Sequence, residues 1–239
     1  YFKDYNVVAD TKVKYRVRSF NDIGYADWIE ESNYHYTRPN APTNVYARRM
    51  SSSQFSVYYT DQSNITNEHK IFRSDKNFQS NISNAFTSLV SPYNDSYQIT
   101  TDNRFLYHVQ AKTSDGVYSE EAYSIYEFSV PTAPSSTLAS IVNDHQIQIS
   151  WKDNSLFESG FRIEESVNGG SWSEIDPGNN QTGQDIRTYL HEVESTASNT
   201  YRYRVRAEIG ATINNPELFS TYSNETVAEL ASLHFEVIT

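Results

Sequence analysis

The chain has 239 residues, a formal net charge of -11 and no cysteine. The negative charge repels phosphate backbones, so nucleic-acid binding is not expected, and the lack of thiols excludes disulfides, thiolate metal sites and cysteine nucleophiles. No apolar run reaches the roughly 18 residues that a membrane-spanning helix needs. Aromatic residues make up 14% of the chain, with 19 Tyr and 12 Phe, and these residue types favour strands.

The first predicted strand covers residues 15–18 (YRVR), and similar stretches return at residues 107–110 (YHVQ) and 203–206 (YRVR). Each alternates apolar or aromatic residues with polar ones, which is typical of a strand with one face in a core and one in water. The stretches begin 92 and 96 residues apart, which is the length of one small domain. The sequence therefore predicts a row of similar β modules. Residues 1–38 supply only what resemble the last strands of a module, so we expect the C-terminal part of an incomplete module there.

Two proline-containing junctions follow. Residues 38–42 (RPNAP) and 130–134 (VPTAP) share the pattern Pro-x-Ala-Pro, 92 residues apart. Because proline fixes φ and lacks an N–H, we predict extended segments that each lead into an edge strand. The predicted domains are residues 39–130 and 131–229, followed at 230–239 by the start of a further domain or a C-terminal extension.

In the module at 39–130, a strand at residues 55–59 (FSVYY) is followed by turn-forming residues at 61–63 (DQS) and a second strand from His69 to Phe72. The pattern matches that of the next module, 92 residues later. We therefore predict that Tyr59 takes the place of Trp151, and that His69 faces the core where Phe161 does.

The module at 131–229 carries a family resemblance. Residues 150–155 (SWKDNS), Glu158, residues 160–164 (GFRIE) and residues 200–207 (TYRYRVRA) resemble a bacterial-style fibronectin type III module. The resemblance extends, less completely, to the rest of the chain. It implies an all-β fold of tandem immunoglobulin-like sandwiches in an elongated array, each with seven strands in two antiparallel sheets and Greek-key connections.

The resemblance also implies a role for Tyr201. In such modules a tyrosine at the start of the sixth strand holds the preceding corner through its hydroxyl group. Val13 and Phe105 stand at this place in the other two modules. Neither has a hydroxyl group, so we expect those corners to depend on packing.

The sequence holds no Gly-x-Ser-x-Gly motif, phosphate-binding glycine loop or nucleotide fingerprint. We predict that the chain is not an enzyme, with no catalytic residue, no cofactor and no metal. The six histidines occur singly, and we interpret His69 as a partly buried ring. Adjacent carboxylates such as Glu164 and Glu165 point to opposite faces of a strand, so we interpret them as solvated charges. The turns at 61–63 and 153–155 offer oxygen ligands to calcium, but the same residues form Asx turns without a metal.

The outer sheet face differs between the two modules. In the resembled fold the strand with Glu164 neighbours the strand with Arg204, so we expect these two residues to form a cross-strand ion pair in the module at 131–229. At the corresponding places in the module at 39–130, Phe72 replaces Glu164 and Leu106 replaces Arg202. Because exposed apolar clusters mark contacts, Phe72 and Leu106 are a predicted protein contact, with scattered surface hydrophobes as the alternative.

These features favour non-enzymatic structural, spacer and interaction modules of a large secreted or cell-surface protein, such as an adhesin or filament stalk of bacterial or phage origin. The expected partners are other domains of the same long chain, together with protein or glycan partners. Two alternatives stay open: accessory spacer domains of an extracellular polysaccharide-degrading enzyme, and a phage virion or tail-fibre component.

Overall fold

The computed structural model describes residues 1–74, 86–88, 90–96, 99–175, 183–194 and 199–230. All regular elements in this part of the chain are strands, and every strand pairing is antiparallel. The all-β fold class predicted from the sequence is therefore confirmed. The chain forms two compact units: unit 1 consists of Tyr1–Tyr97 and Phe105–Glu127, and unit 2 consists of Gln98–Arg104 and Phe128–Thr239. The predicted domain boundaries after residues 38, 130 and 229 stay predictions.

Residues 1–38 form a nested hairpin of short strands. The pairs are β1 (Lys12–Val13) with β6 (His35–Tyr36), β2 (Arg16–Val17) with β5 (Ile29–Glu30), and β3 (Phe20–Asn21) with β4 (Gly24–Tyr25). Most of their side chains are exposed, although the alternation of apolar and polar residues is that of a one-sided strand. Arg18 stacks on Tyr25 and Trp28, with its guanidinium 4.0 and 4.4 Å from the two ring centroids.

The first sandwich contains the strands β7 to β14. One sheet has the order β11 (Tyr93–Asp95), β8 (Gln54–Thr60) and β7 (Thr43–Ser51). The other has the order β10 (Phe86–Ser88), β9 (Glu68–Ser74), β12 (Arg104–Lys112) and β13 (Ala122–Tyr123), and β14 (Glu127–Phe128) also pairs with β12. Phe55 of the first sheet contacts Phe105 and Tyr107 of the second, with ring centroids 5.8 and 6.2 Å apart.

The second sandwich, from β15 to β22, repeats this arrangement. One sheet has the order β15 (Ser135–Asn143), β16 (Gln146–Lys152) and β19 (Thr188–Glu192). The other has the order β18 (Ser173–Glu174), β17 (Gly160–Val167), β20 (Thr200–Ile209) and β21 (Leu218–Phe219), and β22 (Thr226–Glu229) also pairs with β20. In each sandwich, two short segments pair with the same strand: β13 and β14 with β12, and β21 and β22 with β20. When each such pair of segments is counted as one strand, each sandwich has the seven strands of the predicted fibronectin type III-like fold.

The two sandwiches match residue by residue. Each first strand has a register shift near its start, where Asn44 and Ser136 take positive φ values of 52° and 54°. In the cores, Tyr59 packs against His69 as Trp151 packs against Phe161, with ring centroids 4.6 and 5.3 Å apart. All four side chains are buried. The predicted core positions of Tyr59 and His69 are thus confirmed.

The prolines of both junctions occupy matching positions. Pro39 and Pro131 are buried, and the following strands β7 and β15 are edge strands of their sheets. An edge strand tolerates a preceding proline because one of its sides needs no backbone donor. The predicted position of each junction before an edge strand is confirmed.

Tyr201 is buried, but its hydroxyl group makes a bond that the sequence did not predict. The hydroxyl oxygen accepts a hydrogen bond from Nδ2 of Asn199, 3.3 Å away. Residues 195–198 of this corner lie outside the described residues, as do residues 231–239 of the predicted C-terminal extension. Among the described residues, the hydroxyl group of Tyr201 therefore bonds to the side chain of Asn199, two residues upstream.

No helix in the described part of the chain is long and apolar enough to cross a membrane.

Candidate functional site

The predicted contact surface lies on the outer face of the β9–β12 sheet. Phe72 and His108 are directly opposite each other, with ring centroids 4.6 Å apart. Tyr123 of β13 stacks on the other side of His108 at 5.4 Å and an interplanar angle of 7°. We call Phe72, His108 and Tyr123 the aromatic column. Tyr123 is 55% exposed, whereas Phe72 is half-buried by the stacking.

The second sandwich has charges in the same place. Glu164 takes the position of Phe72, and Arg204 takes that of His108. The Nε of Arg204 lies 2.8 Å from a carboxylate oxygen of Glu164, which confirms the predicted cross-strand pair. Tyr222 donates a 2.6 Å hydrogen bond to Glu164 and stacks on the guanidinium of Arg204 at 3.8 Å. In the second sandwich, the charged groups on this face are paired with each other. In the first sandwich, the aromatic column leaves the ring of Tyr123 exposed to solvent.

Leu106 lies on the same outer face but apart from the column. It is directly opposite Ser74, two residues from Phe72 along β9, and it is half-buried. The structure thus places Phe72 and Leu106 on one face, as the strand alternation predicts. A protein contact at this face stays a prediction.

The histidines have acidic neighbours that the sequence analysis missed. His35 lies 2.6 Å from Glu31, four residues away, and His108 lies 3.3 Å from Glu121. His69 lies 3.5 Å from Asp61. Burial lowers the pKa of His69 and of His108 despite the neighbouring carboxylates, which raise it. Both rings are therefore held toward the neutral form.

A buried ion pair lies inside the first sandwich. Arg73 is 1% exposed, Asp95 is 0% exposed, and their charged groups are in contact. The hydroxyl of Tyr107 donates a 2.8 Å hydrogen bond to the same carboxylate. Burial, with an added contribution from the Asp95 charge, raises the pKa of Tyr107 well above its ordinary value. The carboxylate thus holds two donors from the opposite sheet.

The second sandwich has a corresponding triad with the charges exchanged. Glu165 stands at the position of Arg73, His191 at that of Asp95, and Tyr203 at that of Tyr107. The Nδ1 of His191 lies 3.1 Å from the hydroxyl of Tyr203 and 3.7 Å from Glu165. Burial raises the pKa of Glu165 and lowers that of His191. The interpretation of Glu165 as a solvated charge was wrong, because strand alternation turns it inward beside His191.

A loop contact recurs in both units, and we call it the clasp. In unit 2, the Asp102 carboxylate accepts hydrogen bonds from the Ser155 hydroxyl at 2.7 Å and from the backbone N–H of Leu156 at 2.9 Å. In unit 1, Asp10 accepts from the Ser63 hydroxyl and from the backbone N–H of Asn64, the latter at 3.2 Å. Each aspartate stands 92 residues from its counterpart, and so does each serine.

The backbone around each clasp is also repeated. Asp10 and Asp102 have positive φ values of 58° and 57°. Their N–H groups donate to the carbonyls of Arg38 and Val130, at 2.9 and 2.8 Å, which are the residues that precede the junction prolines. Burial raises the pKa of Asp10, but the hydrogen bonds from Ser63, Asn64 and Asn40 outweigh it and hold that pKa below its ordinary value. The hydrogen bonds thus stabilise the ionised carboxylate of Asp10.

No protein-family model matches the chain, and no curated protein matches it. Among solved structures, the chain is similar to the FN1-FN3 domains of chicken CNTN1, with a TM-score of 0.41 and 14% identity over 92% of this chain and 77% of that one. It is also similar to a segment of two fibronectin type III domains from chicken tenascin, with a TM-score of 0.38 and 9% identity over 81% of this chain and 100% of that one. Identities this low do not indicate which residues act in a site.

Proposed function

We propose that this chain is a non-enzymatic spacer and interaction segment of a large secreted or cell-surface protein, of the kind that forms an adhesin or filament stalk. In such a protein, each module buries its own core, and repetition of the module sets the length of the stalk. The partners are the other domains of the same long chain, with the aromatic column as a contact surface for a further protein or a glycan.

The observation that carries the proposal is the recurring clasp. The same aspartate and serine, with the same backbone hydrogen bond to the residue before the junction proline, occur in unit 1 and in unit 2. A linker that is only flexible needs no such contact. A stalk does need it, because a hydrogen-bonded aspartate orders the loop that stands beside each junction proline.

The proposal is tested on the full chain by amide hydrogen exchange at the clasp of unit 2. The reporters are the N–H of Asp102, which donates to Val130, and the N–H of Leu156, which donates to the Asp102 carboxylate. Both amides should be protected from exchange in the unsubstituted chain. Asp102→Ala and Ser155→Ala should each lower the protection, since each removes one side of the clasp.

Asp22→Ala is the control, because it removes an exposed aspartate in the turn between β3 and β4. This variant should leave the protection of both amides unchanged. Protection that is equal in Asp102→Ala and in the unsubstituted chain would mean that the clasp does not order the loop beside the junction. Absence of protection in the unsubstituted chain would contradict the proposal.

A further inference from the structure

We propose that unit 2 binds a divalent cation of the calcium type through the carboxylates of Asp153, Glu158 and Asp185. One oxygen from each of the three side chains lies within 4.8 Å of the others. Calcium–oxygen distances are about 2.3–2.6 Å, so two ligand oxygens on opposite sides of one ion are separated by at most about 5 Å. The three carboxylates therefore converge closely enough for one ion to contact all of them.

Glu158 supplies a second observation, independent of the clustering. The side chain is only 3% exposed, and its Oε1 accepts a hydrogen bond from the backbone N–H of Asp185 at 3.4 Å. Its Oε2 is inaccessible and accepts no hydrogen bond of normal geometry among the described residues, since the nearby Ser155 hydroxyl donates to Asp102. Burial, together with the charge of Asp153, raises the pKa of Glu158. A buried carboxylate oxygen without a donor is unfavourable, and a cation would supply the missing partner.

Unit 1 shows how the same loop closes without a cation. Asp61 and Asp153 stand 92 residues apart, and each accepts a backbone hydrogen bond from the serine two residues later, at 3.0 and 2.9 Å. In unit 1 the hydroxyl of Thr66 also donates to Asp61, at 3.1 Å. Glu158 stands at the position of Thr66. Unit 2 thus has a second carboxylate where unit 1 has a donor.

The donor set indicates the class of cation. Three carboxylates, with no nitrogen or sulfur ligand among them, suit a hard cation rather than zinc or copper. Asp185 is exposed and Asp153 half-buried, so water can complete the six to eight oxygen ligands that calcium takes. An open site with three charges favours the weak affinity of extracellular modules, with a dissociation constant of about 10⁻⁴–10⁻³ M.

The test uses the full chain, stripped of metals and titrated with calcium chloride under isothermal calorimetry. We expect saturable binding in the stated range and a calcium-dependent rise of the thermal midpoint of unit 2. The midpoint is followed by tryptophan fluorescence in a chain that carries Trp28→Phe and Trp172→Phe, so that the emission comes from the buried Trp151. Glu158→Thr should lower the affinity at least tenfold and abolish the rise. This variant should still fold, because Thr66 closes the same loop in unit 1. Asp185→Asn, at an exposed position, should weaken binding in the same direction.

Asp61→Asn is the matched control, since it changes the corresponding aspartate of unit 1 and should leave calcium binding intact. Sodium chloride at equal ionic strength should not reproduce the rise of the midpoint. Absence of saturable binding to the unsubstituted chain would overturn the proposal. Calcium binding that persists in both Glu158→Thr and Asp185→Asn would also overturn the proposal. A third contradicting result is a Glu158→Thr chain that is more stable than an unsubstituted chain that does not bind calcium, because Glu158 would then hold a proton instead of a cation.

Discussion

Replacing Asp95 by asparagine tests the buried ion pair of the first sandwich. The change removes a negative charge at a residue with 0% exposure and leaves Arg73, at 1% exposure, with its positive charge inside the protein. Asparagine keeps an acceptor for the Tyr107 hydroxyl, so the loss is mainly one of charge. Removing one partner of a buried pair costs about 3–5 kcal/mol. That is a large part of the roughly 5–15 kcal/mol that stabilises a typical domain.

The measurement is amide hydrogen exchange along the full chain, which reads both sandwiches in one sample. A loss of 3–5 kcal/mol multiplies the unfolded fraction by roughly 150 to 5,000. Protection of the β12 amides should therefore fall by the same factor, about two to four orders of magnitude, in the Asp95→Asn chain. The β20 amides report the second sandwich and should keep their protection, because its triad is unchanged.

Adding Arg73→Met to Asp95→Asn provides the control. The double variant has no buried charge at this place, and replacement of both partners of a buried pair by groups of similar volume is often neutral. Most of the β12 protection should return. A single Asp95→Asn variant that loses less than about tenfold in protection, roughly 1.4 kcal/mol, would refute the reasoning, since Arg73 would then not need a carboxylate.

Two further predictions concern His69 and Asp10. His69→Phe places in the first sandwich the residue type of Phe161, and it should stabilise unit 1 by about 1 kcal/mol or more, because the polar ring of His69 is buried and its neighbouring carboxylate oxygen, on Asp61, lies as far away as 3.5 Å. Because burial lowers the pKa of His69, protonation disfavours the folded state, so the advantage of His69→Phe in urea unfolding should grow as the pH falls below about 6.5. Asp10 has a lowered pKa, so its ionised form stabilises the fold above about pH 3.9, and this contribution is lost as the pH falls through the folded-state pKa. Asp10→Asn should thus destabilise unit 1 at pH 7 and lose its effect in acid; an effect that does not depend on pH would contradict this.

The strand pattern predicted a row of β modules, and the family resemblance added the sandwiches and one surface pair. Alternation of apolar and polar residues fixes which side of a strand faces the core, so Trp151 and Phe161 could be assigned to it, and Glu164 and Arg204 to the outer face. The same alternation of inward and outward residues also indicated one member of the buried triad. Arg73 shares the inward side of β9 with Ile71, but a charge in a strand is usually solvated, and only the structure brings Asp95 beneath it.

The periodicity of the strands could not predict the loop contacts. Asp102 and Ser155 are 53 residues apart, and so are Asp10 and Ser63. Their contact depends on how loops fold back over a sheet end, which no local pattern encodes. Comparison of the chain with itself would have found them, because both members of each clasp recur at a spacing of 92 residues. The same comparison would have marked Glu158, which breaks the match with Thr66.

The exchange of charges between the two buried triads has a consequence for folding. Tandem modules of similar sequence can misfold by exchanging strands. If β17 entered the first sandwich in place of β9, Glu165 would lie beside the buried Asp95, and two carboxylates would face each other without a cation. In the reverse exchange, Arg73 would lie beside His191, with no carboxylate at that position. Each mispaired core carries an uncompensated buried charge, whereas each correct core carries opposite charges or a neutral pair. The divergence of these interior positions therefore disfavours the wrong partner.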